Sequence, residues 1–153
     1  MLLAEALAER AQAQERLNSL HERLLAVVRV QEGDTPEEDP QELLRELDGV
    51  AGRIDELVQA INATNIATAF DEKRNLMEAL ALRDGLLRKR RIYHDLAQRA
   101  GTRSDRYSRN EIKFVSTIPV ADMRKRVDDL SKQYRELDTR IQQLNWNTEL
   151  KNG

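Results

Sequence analysis

The stretch VADMRKRVDDLSKQYRELDTRIQQL, Val120 to Leu144, decides the fold class. Val120, Met123, Val127, Leu130, Tyr134, Leu137, Ile141 and Leu144 step by three and four, and every residue between them except Ala121 is polar. Eight consecutive positions at a mean spacing near 3.5 form the seam of a long helix packed against another helix.

Three more helices emerge on working outward. Leu3, Ala6, Arg10, Ala13, Leu17, Leu20, Leu24 and Val27 predict a first helix over Leu2–Gln31, stopped by the turn residues Gly33-Asp34-Thr35-Pro36. Asp39-Pro40-Gln41-Glu42 opens a second helix with a capping acid, a proline in the first turn and a box-like glutamate. Its stripe Leu43, Leu47, Val50, Ile54, Leu57, Ile61 runs to an expected end at Asn62–Asn65. The third helix is predicted over 76–100, with Gly101 as its stop.

The chain also repeats itself. Glu5-Ala6-Leu7-Ala8-Glu9-Arg10 returns as Glu78-Ala79-Leu80-Ala81-Leu82-Arg83, shifted by 73, and His21-Glu22 returns as His94-Asp95. Leu47, Asp55, Gln59 and Asn62 match Leu130, Asp138, Gln142 and Asn145 at a shift of 83. Ile54, Val58 and Ile61 then fall opposite Leu137, Ile141 and Leu144. The reading is therefore all-α: four long helices as two related antiparallel hairpins, bundle- or coiled-coil-like. Hairpin one covers 2–65 and hairpin two 76–148 of a single helical domain over 1–153. An arm at 102–119 joins helices three and four, a long loop or a short β segment, because Ile112–Ile118 is rich in β-formers and Ile112 and Phe114 share one side.

Composition narrows the chemistry. Charged residues make up 34% and aromatics 4%, as in long-helix proteins, and cysteine is absent, which removes disulfides and thiolate chemistry. No apolar run approaches the roughly 20 residues of a membrane span, and no basic, apolar leader opens the sequence. A soluble, cytoplasmic protein is the expectation. Residues 1–62 carry 14 acidic and 6 basic groups, residues 63–153 carry 13 and 19, so two complementary halves are expected to attract.

The EALAxR start, Val30-Gln31-Glu32-Gly33, Ile61-Asn62-x-Thr64-Asn65, Asp105-Arg106-Tyr107-Ser108-Arg109-x-Glu111-Ile112-Lys113-Phe114-Val115 and Leu144-Asn145-Trp146-Asn147-Thr148-Glu149-Leu150 together resemble septicolysin-like proteins, small bacterial helical proteins. The resemblance spans the chain. It implies a helical, cytoplasmic bacterial protein and no catalytic motif. The lytic action in that label finds no support in these residues, which lack a leader, a spanning segment and the alternating strands of a pore-forming barrel.

No set of side chains specifies a reaction, and neither enzymatic activity nor a cofactor is expected. His21 and His94 are the weak metal candidates, but Asn18 and Arg91 stand three residues before them, where di-iron bundles carry glutamate. Arg88-Lys89-Arg90-Arg91 is a basic patch that invites a nucleic-acid reading, yet four adjacent residues face all sides of a helix and the overall pI is near 5.8. Arg10 and Arg83 occupy matching seam positions, which suits a register-setting ion pair. Trp146 is expected to cover an open bundle end. The favoured role is self-association into a homo-oligomer through the arm, with Arg106, Tyr107, Arg109, Ile112, Phe114 and Val115 as the interface. Nucleic-acid or anion binding by the basic patch and arm stands second, and a histidine-dependent metal or ligand site third.

Overall fold

A computed structural model describes residues 1–102 and 112–152. Among them lie four helices, α1 (Leu3–Val27), α2 (Pro40–Ala67), α3 (Leu76–Gly101) and α4 (Val120–Asn147), and no strand. The fold is all-α, with α1 packed on α2 and α3 on α4. The chain divides into two compact units. Unit 1 is Met1–Leu76 with Gln142–Gly153, and unit 2 is Met77–Ile141.

Within unit 1 the α1–α2 register is written in ion pairs. Glu9, Arg16 and Arg23, seven apart on α1, meet Arg53, Glu46 and Glu38 in reverse order, so the helices run antiparallel. The apolar stripe of α1 turns inward as its spacing requires: Leu3, Ala6, Leu20, Leu24 and Val27 are buried. Leu20, Leu24, Val27 and Leu43 form one cluster, with Leu47 and Val50 against it. Asp39 caps α2 by accepting from the Gln41 N–H at 2.9 Å.

Unit 2 shows the same antiparallel logic. Arg83 and Arg90, seven apart on α3, meet Asp138 and Ser131, seven apart on α4. Val127, Leu130, Leu137 and Ile141, half of the seam, are buried, and the other half is partly covered.

Two clasps tie the helix ends together in unit 1, and three hydrogen bonds and one bridge of each correspond. The Leu76 N–H donates to the Thr68 carbonyl at 2.8 Å, as the Leu3 N–H does to the Thr148 carbonyl at 2.8 Å. The Phe70 N–H donates to the Arg74 carbonyl at 2.9 Å, as the Leu150 N–H does to the Met1 carbonyl at 2.8 Å. Thr68 Oγ1 donates to the Thr64 carbonyl and Thr148 Oγ1 to the Leu144 carbonyl, each at 2.7 Å. The antiparallel bridges Ala69–Asn75 and Leu2–Glu149 match in the same way. Residues 74–76 stand to 1–3 at a shift of 73, the shift of the first sequence repeat. Residues 148–150 stand to 68–70 at a shift of 80, where the second sequence repeat is shifted by 83. Burial agrees with 80: Leu57 matches Leu137 and Ile61 matches Ile141, all buried, and α2 and α4 both have 28 residues. A three-residue slip rotates a helix by only about 60° from full turn, so the apolar stripe aligns nearly as well in either register.

Other boundaries differ from expectation for local reasons. α1 ends at Val27 rather than Gln31, because Val27 is its last buried residue and Val28 and Val30 are exposed, leaving no packing to hold β-branched residues helical. α2 continues through Asn62–Asn65 to Ala67 because Ala60, Ile61 and Thr64 are buried there, and neither Asn62 nor Asn65 adopts a left-handed conformation. Gly33, at φ 91°, is the one described residue with positive φ, where a turn needs glycine. Ile112–Ile118 is loop, not strand. It finds no edge to pair with among the described residues, and the Ile66–Phe70 segment pairs with Asn75 and Arg74 instead. Trp146 does not cover a bundle end but lies 60% exposed.

Candidate functional site

Where unpaired apolar surface gathers, α3 is at its centre. Its inner face is set by Arg83, Arg90 and Ala97, each seven residues from the next. Arg88, Ile92, Leu96 and Arg99 fall on the opposite face and are all exposed, Ile92 at 54% and Leu96 at 45%. An aliphatic pair left outside a two-helix layer, bracketed by cations, has the composition of an interface rather than of a solvated helix face.

The arm adds to this surface within unit 2. Ile112, Phe114 and Val115 are 88%, 87% and 73% exposed, while Ser116 fixes the following bend by donating from Oγ to the Ile118 carbonyl. Phe114, Val115 and Ile118 line a groove of about 470 Å³ with Leu96, Arg99 and Ala100. Of the expected interface residues, the structure therefore brings Phe114 and Val115 to the end of α3, while Ile112 is exposed without lining that groove. Arg106, Tyr107 and Arg109 lie outside the described residues.

The basic patch splits. Arg90 turns toward α4 and donates to Ser131 Oγ at 2.5 Å, and that hydroxyl donates onward to the Val127 carbonyl. Arg88, Lys89 and Arg91 are exposed and make no ion pair among the described residues. Arg126 lies 4.3 Å over the Tyr93 ring, a cation–π contact across the hairpin. Arg124 folds over the end of α3, where a Cβ at Gly101 would stand 3.0 Å from its guanidinium. A side chain there would need only a small shift of that guanidinium, the flexible end of an exposed side chain. Arg83, half-buried, donates to Asp138 at 3.0 Å and so makes the seam ion pair expected of it, whereas Arg10 makes none among the described residues.

The histidines gather no metal-ligating set. His21 is exposed on α1 in unit 1; His94 is exposed on α3 in unit 2, with Nδ1 at 3.5 Å from Asp95. His94 also borders a cleft of about 290 Å³ with Gln98, Arg124 and Asp128. Among the described residues no three His, Asp or Glu side chains converge as metal ligands would. No described helix is long and apolar enough to cross a membrane.

In unit 1 the charges behave differently. The Glu9 and Glu38 carboxyls are held below the usual carboxylate range, chiefly by hydrogen bonds from Arg53 and Arg23. Arg53 is held still more firmly protonated by Glu9 and Glu56. These guanidiniums are engaged at home. The sequence reading missed the outward face of α3, although Ile92 and Leu96, four apart and out of phase with the inner stripe, were its signal.

Residues 10–150 match the family of unknown function DUF6847. The chain belongs to that family. A crystal structure described as a functionally unknown conserved protein from Corynebacterium diphtheriae is similar at a TM-score of 0.93 and 52% identity, over 99% of each chain. Among curated proteins none matches.

Proposed function

We propose that this DUF6847 protein is a non-enzymatic, self-associating helical protein of the cytoplasm, whose interface is built from the outer face of α3 and the arm. The observation that carries the reading is the exposure of Ile92, Leu96, Ile112, Phe114 and Val115 within unit 2. A helical hairpin is two layers deep at most, and apolar residues outside it gain burial only from a third element. Burying each of these side chains is worth about 1.5–3 kcal/mol. Ile112 and Phe114, nearly fully exposed, stand to gain most.

Size-exclusion chromatography with light scattering on the full chain tests this directly. An oligomer of defined mass that Phe114→Asp with Ile92→Asp converts to monomer, with helicity unchanged by circular dichroism, is the expected result. A wild-type monomer at every concentration refutes it.

A second reading has its own observation. Arg88, Lys89, Arg91 and Arg99 are exposed cations without ion-pair partners among the described residues, which suits a polyanion such as single-stranded nucleic acid. Fluorescence anisotropy with a labelled oligothymidine tests it. The expected signature is binding that weakens steeply with salt, and absence of binding at low salt disposes of it.

A further inference from the structure

The geometry points to a specific mate for the outer face of α3: the outer face of α1 on a second copy of this chain, in a reciprocal two-fold pair. This rests on the self-association proposed above and names the surfaces.

The first argument is charge. Residues 1–76 with 142–153, the sequence of unit 1, carry 17 acidic and 9 basic groups; residues 77–141, the sequence of unit 2, carry 10 and 16. The asymmetry noted along the chain thus coincides with the two compact units. Like units repel and unlike units attract, so two copies associate most favourably when unit 1 of each meets unit 2 of the other. A two-fold axis satisfies both contacts at once and closes the assembly at two chains.

The second argument is the pattern on each helix. On α3 the outward residues are Arg88, Ile92, Leu96 and Arg99, an aliphatic pair flanked by cations, with Asp95 at the edge of the face. On α1 the inner stripe takes Leu17, Leu20 and Leu24, which places Glu15, Glu22 and Leu25 on the outer face. Leu25 is 64% exposed, and Glu15 and Glu22, seven apart, make no ion pair among the described residues. The other carboxylates of α1 point elsewhere: Glu9 is already joined to Arg53, and Glu5 accepts from the Leu2 N–H at 2.7 Å. Glu15 and Glu22, about 10.5 Å apart along α1, are therefore available to meet cations of the α3 face, where Arg88 and Arg99 stand about 16.5 Å apart, and Leu25, three residues beyond Glu22, supplies the apolar contact. The outer face of α2 has a similar acidic pair in Asp48 and Asp55, but its exposed apolar residues, Leu44 at 39% and Ile66 at 58%, are far apart, Ile66 eleven residues beyond Asp55, whereas Leu25 lies one turn from Glu22.

A charge-exchange experiment on the full chain decides the matter. Arg88→Glu with Arg99→Glu gives one variant, and Glu15→Arg with Glu22→Arg the other. Each alone should be monomeric where the wild type is dimeric, with dissociation at least ~10-fold easier. Mixed in equal amounts, they should recover the dimer, because each reversed face meets its complement on the other variant. Asp48→Arg with Asp55→Arg should leave the wild-type mass unchanged.

If the wild type is a dimer and either α1 or α3 variant stays dimeric, or the mixture stays monomeric, the assignment of surfaces is wrong while self-association stands. If Asp48 and Asp55 prove to be the sensitive pair, α1 is likewise the wrong mate. If the wild type is monomeric throughout, self-association itself fails. A monomer that binds oligothymidine through Arg88 and Arg99 assigns the α3 face to nucleic acid instead of a second copy.

Discussion

Hairpin one and the α3–α4 pair share a folding plan and differ in what they do with arginine. Arg16, Arg23 and Arg53 each cross from one helix of hairpin one to a carboxylate associated with the other. Across α3 and α4, Arg83 makes such a pair, Arg90 meets a serine, Arg126 meets a tyrosine ring, and Arg88, Lys89, Arg91 and Arg99 make no ion pair among the described residues. Both hairpins form regardless. The apolar seam fixes helix pairing, while exposed ion pairs add roughly 0–1 kcal/mol each and can be lost without losing the fold. Freed of that duty, the charges of the second hairpin are available to a partner.

The comparison is broken most severely through its equivalent leucines. Leu57→Ala should cost about 3–5 kcal/mol and Leu137→Ala about 2–3 kcal/mol in urea unfolding, because Leu57 is 1% exposed and Leu137 9%. Equal costs would mean that the shift of 80 captures energetics as well as hydrogen bonds.

Next comes the buried threonine present in one clasp alone. Thr64 Oγ1 donates to the Ala60 carbonyl at 2.7 Å and accepts from the Lys151 N–H at 2.9 Å; its counterpart at a shift of 80 is Leu144. Thr64→Val should cost about 1–2 kcal/mol and speed amide exchange at Lys151, with no change at Phe70 in the matching clasp.

A smaller effect is expected at the seam ion pair. Arg83→Met should destabilise by about 1 kcal/mol, since the side chains of Arg83 and Asp138 are only 23% and 31% exposed. Arg23→Met, at a solvated pair, should change stability less, and that difference should vanish in high salt.

The smallest is a pH effect confined to hairpin one. Glu9 and Glu38 have lowered carboxyl pKa values in the folded chain. Their contribution is therefore present above the ordinary carboxylate range and is lost as pH falls through the lowered folded values. Amide exchange across α1 and α2 should rise on acidification, and Glu9→Gln with Glu38→Gln should flatten that rise.

The helices were legible because burial imposes a period. The stripe of α1 and the seam of α4 are turned inward as their spacing demanded, and Asp39 caps α2 where expected. What eluded the sequence depends on contacts between distant segments. α2 runs past its asparagines because the packing around Thr64 holds it, and α1 stops early because Val28 and Val30 have nothing to pack against. The clasps use backbone amides and carbonyls, which every residue possesses, so only their threonines left a trace. Ile112–Ile118 has strand composition, but a strand needs an edge. Trp146 illustrates the converse: a lone aromatic beside a helix end carries no information about which way it faces.

The paired clasps also say something about ancestry. Under the two shifts, Leu3 stands to Thr148 as Leu76 stands to Thr68, so each half of the chain holds one helix-entry side and one helix-exit side of a clasp, each of which donates and accepts. A single ancestral hairpin with both sides would close on an identical copy of itself, giving a homodimer with two equal clasps. Fusion of two such genes through the turn at 70–74 keeps both clasps and frees the halves to diverge. One half holds Arg16, Arg23 and Arg53 in cross-helix ion pairs and the other leaves most of its cations exposed, a division of labour that no symmetric dimer of identical hairpins can achieve.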